Sequence, residues 1–257
     1  MFTNNFDPVA FNLFVFEIRW YSIAYIFGIL FGWFYCKRFL IRDKIISKLF
    51  DDLVTYLIIG IIVGGRLGYI LFYNLEYYFQ NFIEIFFIWE GGMSFHGGLI
   101  GIIIATFIFS KKHNINKYLF LDVISVSAPI GLFFGRVANF INGELIGKAT
   151  NGGWGVIFPQ IDGIPRHPSQ LYESFLEGIV LFIIMNLIYF KIKYKTGTVS
   201  FAFLFFYGTF RFIAEIFREP DKQLGYLFGS FSMGMLLSLI MIFFSIILFY
   251  RVNESKN

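Results

Sequence analysis

The sequence predicts an all-α, polytopic membrane protein with seven transmembrane helices, an outer interfacial helix and a turn-rich outer loop. Of its 257 residues, 57% are hydrophobic and 15% are charged, and the mean hydropathy is +0.69. A soluble domain of similar size has about 25% charged residues. The composition therefore excludes a disordered chain, a disulfide scaffold and an ordinary cytosolic enzyme. It favours a single integral-membrane domain over residues 1–257.

Seven apolar stretches are long enough to cross a bilayer, which takes about 20 residues in a helix. They cover residues 18–35, 53–72, 92–110, 118–141, 171–190, 197–217 and 226–250. The third stretch contains Gly97, Gly98 and Gly101, which permit either close helix packing or a bent entry into the membrane.

The basic residues predict how these helices run. Lys and Arg mark the cytoplasmic side of a membrane protein, and most of the 21 basic residues follow the odd-numbered stretches. They are Lys37, Arg38, Arg42, Lys44, Lys48, Lys111, Lys112, Lys117, Lys191, Lys193, Lys195, Arg251 and Lys256. The N-terminus is therefore expected outside and the C-terminus inside, which requires an odd number of spans.

Two of the outer connections are long. In residues 75–90, large apolar side chains recur at helical spacing, namely Phe79, Phe82, Ile83, Phe86 and Phe87. This spacing predicts an amphipathic helix in the membrane interface, or alternatively a short outer helix packed on its neighbours. Residues 142–167 are rich in Gly and Pro, which predicts a turn-rich loop with a small strand at 154–158.

Polar side chains inside the apolar stretches are the main functional signal. Arg66, Arg136 and Arg211 each cost roughly 2.5–3.5 kcal/mol if central and unpaired. With a rise of about 1.5 Å per residue, all three fall in the outer half of the membrane. Other polar residues reach the same level, namely Tyr25, His96, Asn139, Asn142, Glu144, Tyr172, Glu173 and Glu215. The pattern predicts a water-accessible cavity that opens to the outer leaflet.

Several arginines with few buried acids favour an anionic ligand, because a guanidinium presents a planar fork of donors to phosphate. An anion in the outer leaflet is most simply a phospholipid headgroup. A transporter would place its site near the midplane between two related halves, and the sequence shows no such halves. Each arginine also has a structural alternative: Arg66 can snorkel to the interface, Arg211 can pair with Glu215, and Arg136 shares a helix face with Asn139.

The remaining candidates have alternatives of the same kind. Tyr25 can belong to an aromatic belt at the membrane interface, and His96 can simply form a hydrogen bond to a neighbouring helix. Glu144 fits a surface carboxylate or a partner for Arg136. The single Cys36 has no partner for an internal disulfide, and its position at the inner end of the first stretch predicts no role in the chemistry.

Six further short motifs accompany the run at residues 135–147, which reads GRVANFINGELIG. They are RWY at 19–21, GGRLGY at 64–69, MSFHGG at 93–98, RHPSQLYE at 166–173, YGTFRFIAE at 207–215 and REPD at 218–221. In this order, they make the chain resemble the bacterial prolipoprotein diacylglyceryl transferases over nearly its whole length. Lys148 stands where that family often has an arginine.

The resemblance implies a reaction. The family moves the diacylglyceryl group of phosphatidylglycerol onto the thiol of a lipobox cysteine in a preprolipoprotein, forming a thioether and releasing glycerol phosphate. It implies a multi-pass enzyme of the bacterial cytoplasmic (inner) membrane whose active site faces the outer side. No cofactor, metal or nucleic-acid partner is expected. The alternatives are another outer-leaflet phospholipid headgroup enzyme and an anionic-lipid transporter.

The reaction assigns roles to the polar residues. The acceptor thiol has a free pKa of about 8.5, and His96 is the preferred base because an ordinary histidine titrates near pH 6.5. Glu144 or Glu215 is expected to orient His96 or to replace it. The catalytic candidates are His96, Arg136, Arg211, Tyr25, Glu144 and Glu215. The candidates for binding phosphatidylglycerol are Arg136, Asn139, Arg211, Tyr207, Gly147, Asn142 and Arg66.

Overall fold

The computed structural model describes residues 1–13, 16–220, 225–227 and 229–254. Asp221 and Lys256, both used in the sequence argument, lie outside the described residues. The chain divides into two compact units: Lys37–Val123, called the central unit below, and Met1–Cys36 with Ile124–Asn257, called the terminal unit.

Helices account for most of the chain. They are α1 (Trp20–Tyr35), α2 (Lys44–Tyr73), α3 (Leu75–Gln80), α4 (Phe95–Lys112), α5 (Lys117–Asn142), α6 (Ser169–Glu173), α7 (Leu181–Lys191), α8 (Thr198–Glu215) and α9 (Met233–Glu254). Two π-helical segments continue this pattern: Cys36–Leu40 extends α1, and Ser174–Val180 joins α6 to α7.

Within the described part of the chain, six helical stretches are long and apolar enough to cross a membrane. They are Trp20–Leu40, Lys44–Tyr73, Phe95–Lys112, Lys117–Asn142, Ser169–Lys191 and Met233–Val252. The predicted stretch 197–217 also forms a helix, α8, but Arg211 and Glu215 make it too polar to join this set. The prediction of an α-helical, multi-pass membrane protein is confirmed, whereas a seventh span stays a prediction.

Short strands add to the helical architecture that the sequence predicted. Strands β2 (Val9–Leu13) and β3 (Phe16–Arg19) form an antiparallel hairpin, in which Ile18 pairs with Phe11. The first helix consequently begins at Trp20, later than the apolar stretch does. The strand expected at 154–158 is present as β4 (Val156–Ile157). It lies between β1 (Phe2–Thr3), which runs parallel to it, and β5 (Pro165–Arg166), which runs antiparallel.

Residues 75–90 do not form one continuous amphipathic helix, so that prediction was wrong. Helix α3 ends at Gln80, and two short 3-10 segments follow at Phe82–Phe86 and Ile88–Glu90. The break lies at Asn81, whose φ of −124° and ψ of 60° are not helical. The apolar side chains nevertheless stay on the surface, since Phe79 is 72% and Ile83 is 73% exposed.

In the central unit, glycines bring α2 and α4 into close contact. A Cβ atom on Gly68 would lie 2.6 Å from the Cα of Gly97, and one on Gly64 would lie 2.9 Å from the Cα of Gly101. Such small residues let two membrane helices approach closely. Ser94 caps α4, because its hydroxyl accepts a hydrogen bond from the Gly97 amide at 3.3 Å. This packing holds the first turn of α4, where His96 lies.

Candidate active site

The terminal unit contains a buried group of charges, called the ion-pair cluster below. Its members are Arg136, Glu173, Glu177, Arg211, Glu215 and Arg218. The Glu173 and Glu177 side chains are completely buried, and the Arg136 side chain is 12% exposed. The cluster joins helices α5, α6 and α8, the π-helical segment after α6, and the residues that follow α8.

Glu173 is the centre of the cluster. Its Oε2 atom lies 2.8 Å from Nε of Arg136 and 2.8 Å from Nη1 of Arg211, and its Oε1 lies 3.6 Å from Nη1 of Arg218. One carboxylate therefore orients three guanidinium groups. These are ion pairs in a buried site, where opposite charges attract strongly because little water screens them.

Glu177 is a member of the ion-pair cluster that sequence reasoning missed. Its Oε2 lies 3.2 Å from Nη2 of Arg136, and its Oε1 lies 3.7 Å from Nη1 of Arg211. The expectation of few buried acids was therefore wrong, because the three arginines of the cluster are matched by three glutamates. The available signal was a second carboxylate four residues after Glu173 inside an apolar stretch.

The polypeptide around Glu177 is π-helical from Ser174 to Val180. Such segments are rare, and in α-helices they occur frequently at functional sites. Gly178 lets this segment pack closely against α5, since a Cβ on Gly178 would lie 2.7 Å from the Cβ of Phe133.

Glu215 has structural partners. It pairs with Arg211 at 2.7 Å, and the Ser232 hydroxyl donates to its Oε1 at 3.1 Å. Gly234 packs directly against the Glu215 carboxylate, because a Cβ on Gly234 would lie 2.7 Å from it. Glu215 is 5% exposed. The ion pair with Arg211 that the sequence left open is therefore present, and it ties α8 to the start of α9.

Tyr207 lies one turn before Arg211 on α8 and is 1% exposed. Its ring stacks on Phe203, with the ring centroids 5.7 Å apart. Its hydroxyl is close enough to Arg136, Glu177 and Arg211 to interact with them electrostatically. The structure thus brings Tyr207 together with the ion-pair cluster.

A second polar group surrounds Glu144, just after α5. The Asn139 side chain donates to Glu144 Oε2 at 3.2 Å, and the Asn142 side chain donates to Oε1 at 3.1 Å. The carboxylate is therefore oriented by two amides, and Glu144 remains exposed. Among the ion pairs of the described residues, Glu144 is not the partner of Arg136, which instead contacts Glu173 and Glu177.

Tyr25 lies on α1 and is 49% exposed, with its hydroxyl 3.2 Å from that of Tyr21. Tyr21 in turn interacts electrostatically with Glu144 and Arg136. Tyr21 thereby connects Tyr25 to both polar groups. The sequence did not reveal this link, because Glu144 and Arg136 lie far from Tyr21 in the chain.

Gly147 lies where three backbone segments meet. Its amide donates to the His167 carbonyl at 3.1 Å, and its carbonyl accepts from Nη1 of Arg166 at 3.0 Å. A Cβ on Gly147 would lie 2.8 Å from the carbonyl oxygen of Phe217. Only glycine fits without displacing a neighbour, so the residue joins the loop after α5 to the segments before α6 and after α8.

Two buried side chains at the start of α6 also hold the loop that follows α5. The Ser169 hydroxyl donates to the Leu145 carbonyl at 3.0 Å, and the Gln170 side chain donates to the Glu144 carbonyl. Both Ser169 and Gln170 are fully buried. Outside the membrane-spanning helices, the hydrogen bonds that Arg166 donates to the Asp162 carboxylate raise the pKa of Arg166 above its ordinary value.

Arg66 and His96 belong to the central unit. The Arg66 guanidinium donates to the carbonyls of Ile85 at 2.9 Å, Gly91 at 2.5 Å and Glu84 at 2.5 Å, and it lies over the Tyr78 ring. This geometry supports a structural role, in which Arg66 holds the broken 75–90 segment. His96 is half-buried in the first turn of α4, beside the Phe95 ring.

The ion-pair cluster is chemically suited to bind an anion. Buried ion pairs rarely stabilise a protein more than apolar residues of the same size would, and ionisable residues at membrane depth are functional candidates by default. Fixed guanidinium donors suit an anion that gathers charge during a reaction. Among the described residues, no group of three or more His, Cys, Asp or Glu side chains is placed to hold a metal ion.

Comparison with known proteins places these residues in a family. The model of the family described as prolipoprotein diacylglyceryl transferase matches residues 8–251. Similar proteins named phosphatidylglycerol--prolipoprotein diacylglyceryl transferase occur in Rickettsia bellii (53% identical, covering 97% of this chain and 96% of the relative) and in Rickettsia typhi (49% identical, covering 99% and 100%). The relative from Rickettsia felis is 49% identical, covering 93% of each chain. Because the match spans both units and every residue of the ion-pair cluster, the chain belongs to the prolipoprotein diacylglyceryl transferase family.

Proposed function

We propose that the chain transfers the diacylglyceryl group of phosphatidylglycerol to the lipobox cysteine thiol of preprolipoproteins. The observation that carries this proposal is 53% identity, over 97% of the chain, to a relative whose name states this transfer. The thiol sulfur forms a bond to the glyceryl carbon, and the C–O bond to phosphate breaks. The products are a thioether and glycerol phosphate, and the thiol proton passes to a base.

The ion-pair cluster suits the leaving group. Charge gathers on the phosphate oxygens as the C–O bond breaks, and preorganised donors in a water-poor site stabilise such charge best. Arg136 and Arg211 supply these donors, and Glu173 keeps both guanidinium groups oriented at 2.8 Å. Tyr207 lies beside both arginines and is proposed to position the phosphate.

The Glu144 group is proposed to bind the glyceryl and headgroup oxygens. Asn139 and Asn142 hold its carboxylate through their amides, and Tyr25 is linked to it through Tyr21. His96 is assigned the thiol proton, with Glu144 as the alternative base because it is the exposed carboxylate of the group. For Gly147 and Arg66, the geometry supports shaping the loops rather than contacting the lipid.

We further propose that the protein spans the bacterial inner membrane seven times, with its N-terminus and its active site on the outer side. The basic residues that follow the odd-numbered spans support this orientation. The acceptor of the reaction is an exported protein, and the donor is an outer-leaflet lipid, so an outward-facing site fits both substrates.

Cysteine labelling tests this topology. In Asn151→Cys, an impermeant thiol reagent added from outside is expected to label the protein, because residue 151 is exposed in an outer loop. In Lys44→Cys, labelling is expected only after the membrane is permeabilised. The native Cys36 is 0% exposed, so the background is low. Labelling of Lys44→Cys from outside would reverse the orientation.

The transfer itself is tested by incubating the purified protein with phosphatidylglycerol and a lipobox peptide. The expected result is a mass increase of one diacylglyceryl group on the peptide cysteine, with release of glycerol phosphate. A peptide with serine in place of that cysteine is the control and stays unmodified. A headgroup product without peptide modification would favour another phospholipid enzyme, and lipid movement without any product would favour a transporter.

Arg136→Lys tests the phosphate contact. Lysine keeps the charge but loses the planar fork that binds Glu173 and a phosphate oxygen together. The expected result is a folded protein whose single-turnover rate is about 10²–10³-fold lower, as for the loss of an oxyanion-hole donor. Arg251→Lys, at the exposed inner end of α9, is the matched control and keeps the normal rate. An active but unstable Arg136→Lys protein would give Arg136 a structural role instead.

A further inference from the structure

The two buried glutamates of the π-helical region are held unequally. Glu173 makes two contacts of 2.8 Å, one to Arg136 and one to Arg211. Glu177 Oε2 accepts hydrogen bonds from Nε and Nη2 of Arg136 at 3.3 Å and 3.2 Å, and its Oε1 lies 3.7 Å from Nη1 of Arg211. Both carboxylates are fully buried. Glu177 therefore has the longer ion-pair distances, and the opposite charges attract it less strongly, although it lies equally deep.

The surroundings of Glu177 are both charged and polar. Arg136 faces it from α5, Glu173 lies one turn earlier on its own helix, and Arg211 and Tyr207 face it from α8. The nearest like charge is Glu173, and two carboxylates that share a buried site disfavour each other's ionised form. The two arginines counter this repulsion while the site holds no other anion.

The charges of the cluster balance before the lipid arrives. Three arginines match three glutamates, so the cluster is neutral when all six are ionised. The phosphate diester of phosphatidylglycerol adds one negative charge. An unbalanced charge in a buried site is costly, and the incoming phosphate must also compete with the carboxylates for the same guanidinium donors. Uptake of one proton by a carboxylate removes both obstacles.

Building on the proposed function, we infer that Glu177 is a positioning residue that holds Arg136 and Arg211 in the lipid-free enzyme and takes up one proton from water when the donor phosphate binds. The new O–H bond on Glu177 balances the added phosphate charge and frees guanidinium donors for the lipid. Glu173 keeps its shorter contacts and maintains the geometry. Binding of the anionic donor is thus coupled to protonation.

The direct test counts protons. Wild-type protein in detergent is titrated with short-chain phosphatidylglycerol, without peptide, by calorimetry in two buffers of different ionisation enthalpy. We expect uptake approaching about one proton per lipid and a dissociation constant that rises up to about tenfold per pH unit. Short-chain diacylglycerol, which lacks the phosphate, is expected to cause no uptake. Zero uptake with phosphatidylglycerol across the pH range would overturn the inference, and this measurement needs no variant.

Glu177→Gln identifies the residue. The amide keeps the shape of the side chain and removes its charge, so we expect tighter phosphatidylglycerol binding, no proton uptake and no pH dependence over the same range. Glu76→Gln, an exposed carboxylate on the first turn of α3, is the matched control and behaves as wild type. A Glu177→Gln protein that binds more weakly and still takes up the proton would contradict the assignment.

Two further measurements keep the outcomes distinct. If Glu177→Gln does not fold, Glu177→Asp retains the ionisable group, and its proton count must then match that of the wild type. Thioether formation on a lipobox peptide is measured separately on the wild type. No thioether would mean that the proposed function fails, whereas a thioether without proton uptake would mean that only this inference fails.

Discussion

Glu173→Gln is expected to destabilise the terminal unit by about 3–5 kcal/mol, the usual cost of removing one member of a buried ion pair. Glu173 contacts Arg136, Arg211 and Arg218 with a side chain that is 0% exposed. Glutamine fills the same volume but cannot neutralise guanidinium charge, so the cluster retains an excess positive charge in a buried site. The remaining carboxylates, Glu177 and Glu215, already have their own partners.

Unfolding by denaturant in one fixed detergent measures this effect. Glu219→Gln is the matched control, because Glu219 pairs with Arg166 at 3.4 Å with a side chain that is 47% exposed. An exposed pair contributes about 0–1 kcal/mol, so the control is expected to unfold nearly as the wild type does. Equal stability of the two variants would show that Glu173 is not the centre of the cluster.

His96→Gln is expected to lower the single-turnover rate by about 10²–10⁴-fold, the range for the loss of a general base. Glutamine keeps the hydrogen-bonding capacity of the side chain but cannot accept the thiol proton. The first turn of α4 is held by the Ser94 cap and by packing of Gly97 against Gly68. Since neither contact involves the imidazole, the variant is expected to fold and to bind phosphatidylglycerol normally.

The same helix provides the control. His113 follows the other end of α4, where its ring lies 4.3 Å from that of Phe109. His113→Gln makes the identical chemical change just beyond the C-terminal end of the helix and is expected to keep the normal rate. Rate and lipid affinity are measured on the same samples. A near-normal rate for His96→Gln would transfer the base role to Glu144 or Glu215.

The sequence by itself determined the features that depend on local physics. A bilayer requires long apolar helices, so hydropathy alone predicted seven spanning stretches, and six of them coincide with described helices that are long and apolar enough to cross a membrane. The turn-rich loop and its small strand followed from Gly and Pro content and are present around Val156–Ile157. The motifs around Arg136, His96 and Arg211 identified the family, which the comparisons confirmed.

Sequence reasoning was less successful wherever contacts between two segments decide the conformation. In the hairpin before α1, Ile18 pairs with Phe11. An apolar residue such as Ile18 is compatible with a strand as well as with a helix, so the sequence did not separate the two. Likewise, the spacing of residues 75–90 fits a helix, but the segment is broken at Asn81, and Arg66 binds the carbonyls of Glu84 and Ile85. Spacing reports which residues are apolar and does not report which backbone groups a distant arginine will bind.

The tertiary structure alone decided which charges on different helices meet. From the sequence, Arg136 had Asn139 and Glu144 as its nearest candidates, because they lie on the same helix or directly after it. In the folded chain, Arg136 contacts Glu173 and Glu177, and the latter is 41 residues away. The π-helical segment after α6 sets where Glu177 lies relative to Glu173, and regular helix periodicity does not encode that displacement. An ion pair forms between groups that packing brings within a few ångströms, so its members are known only once the helices are in place.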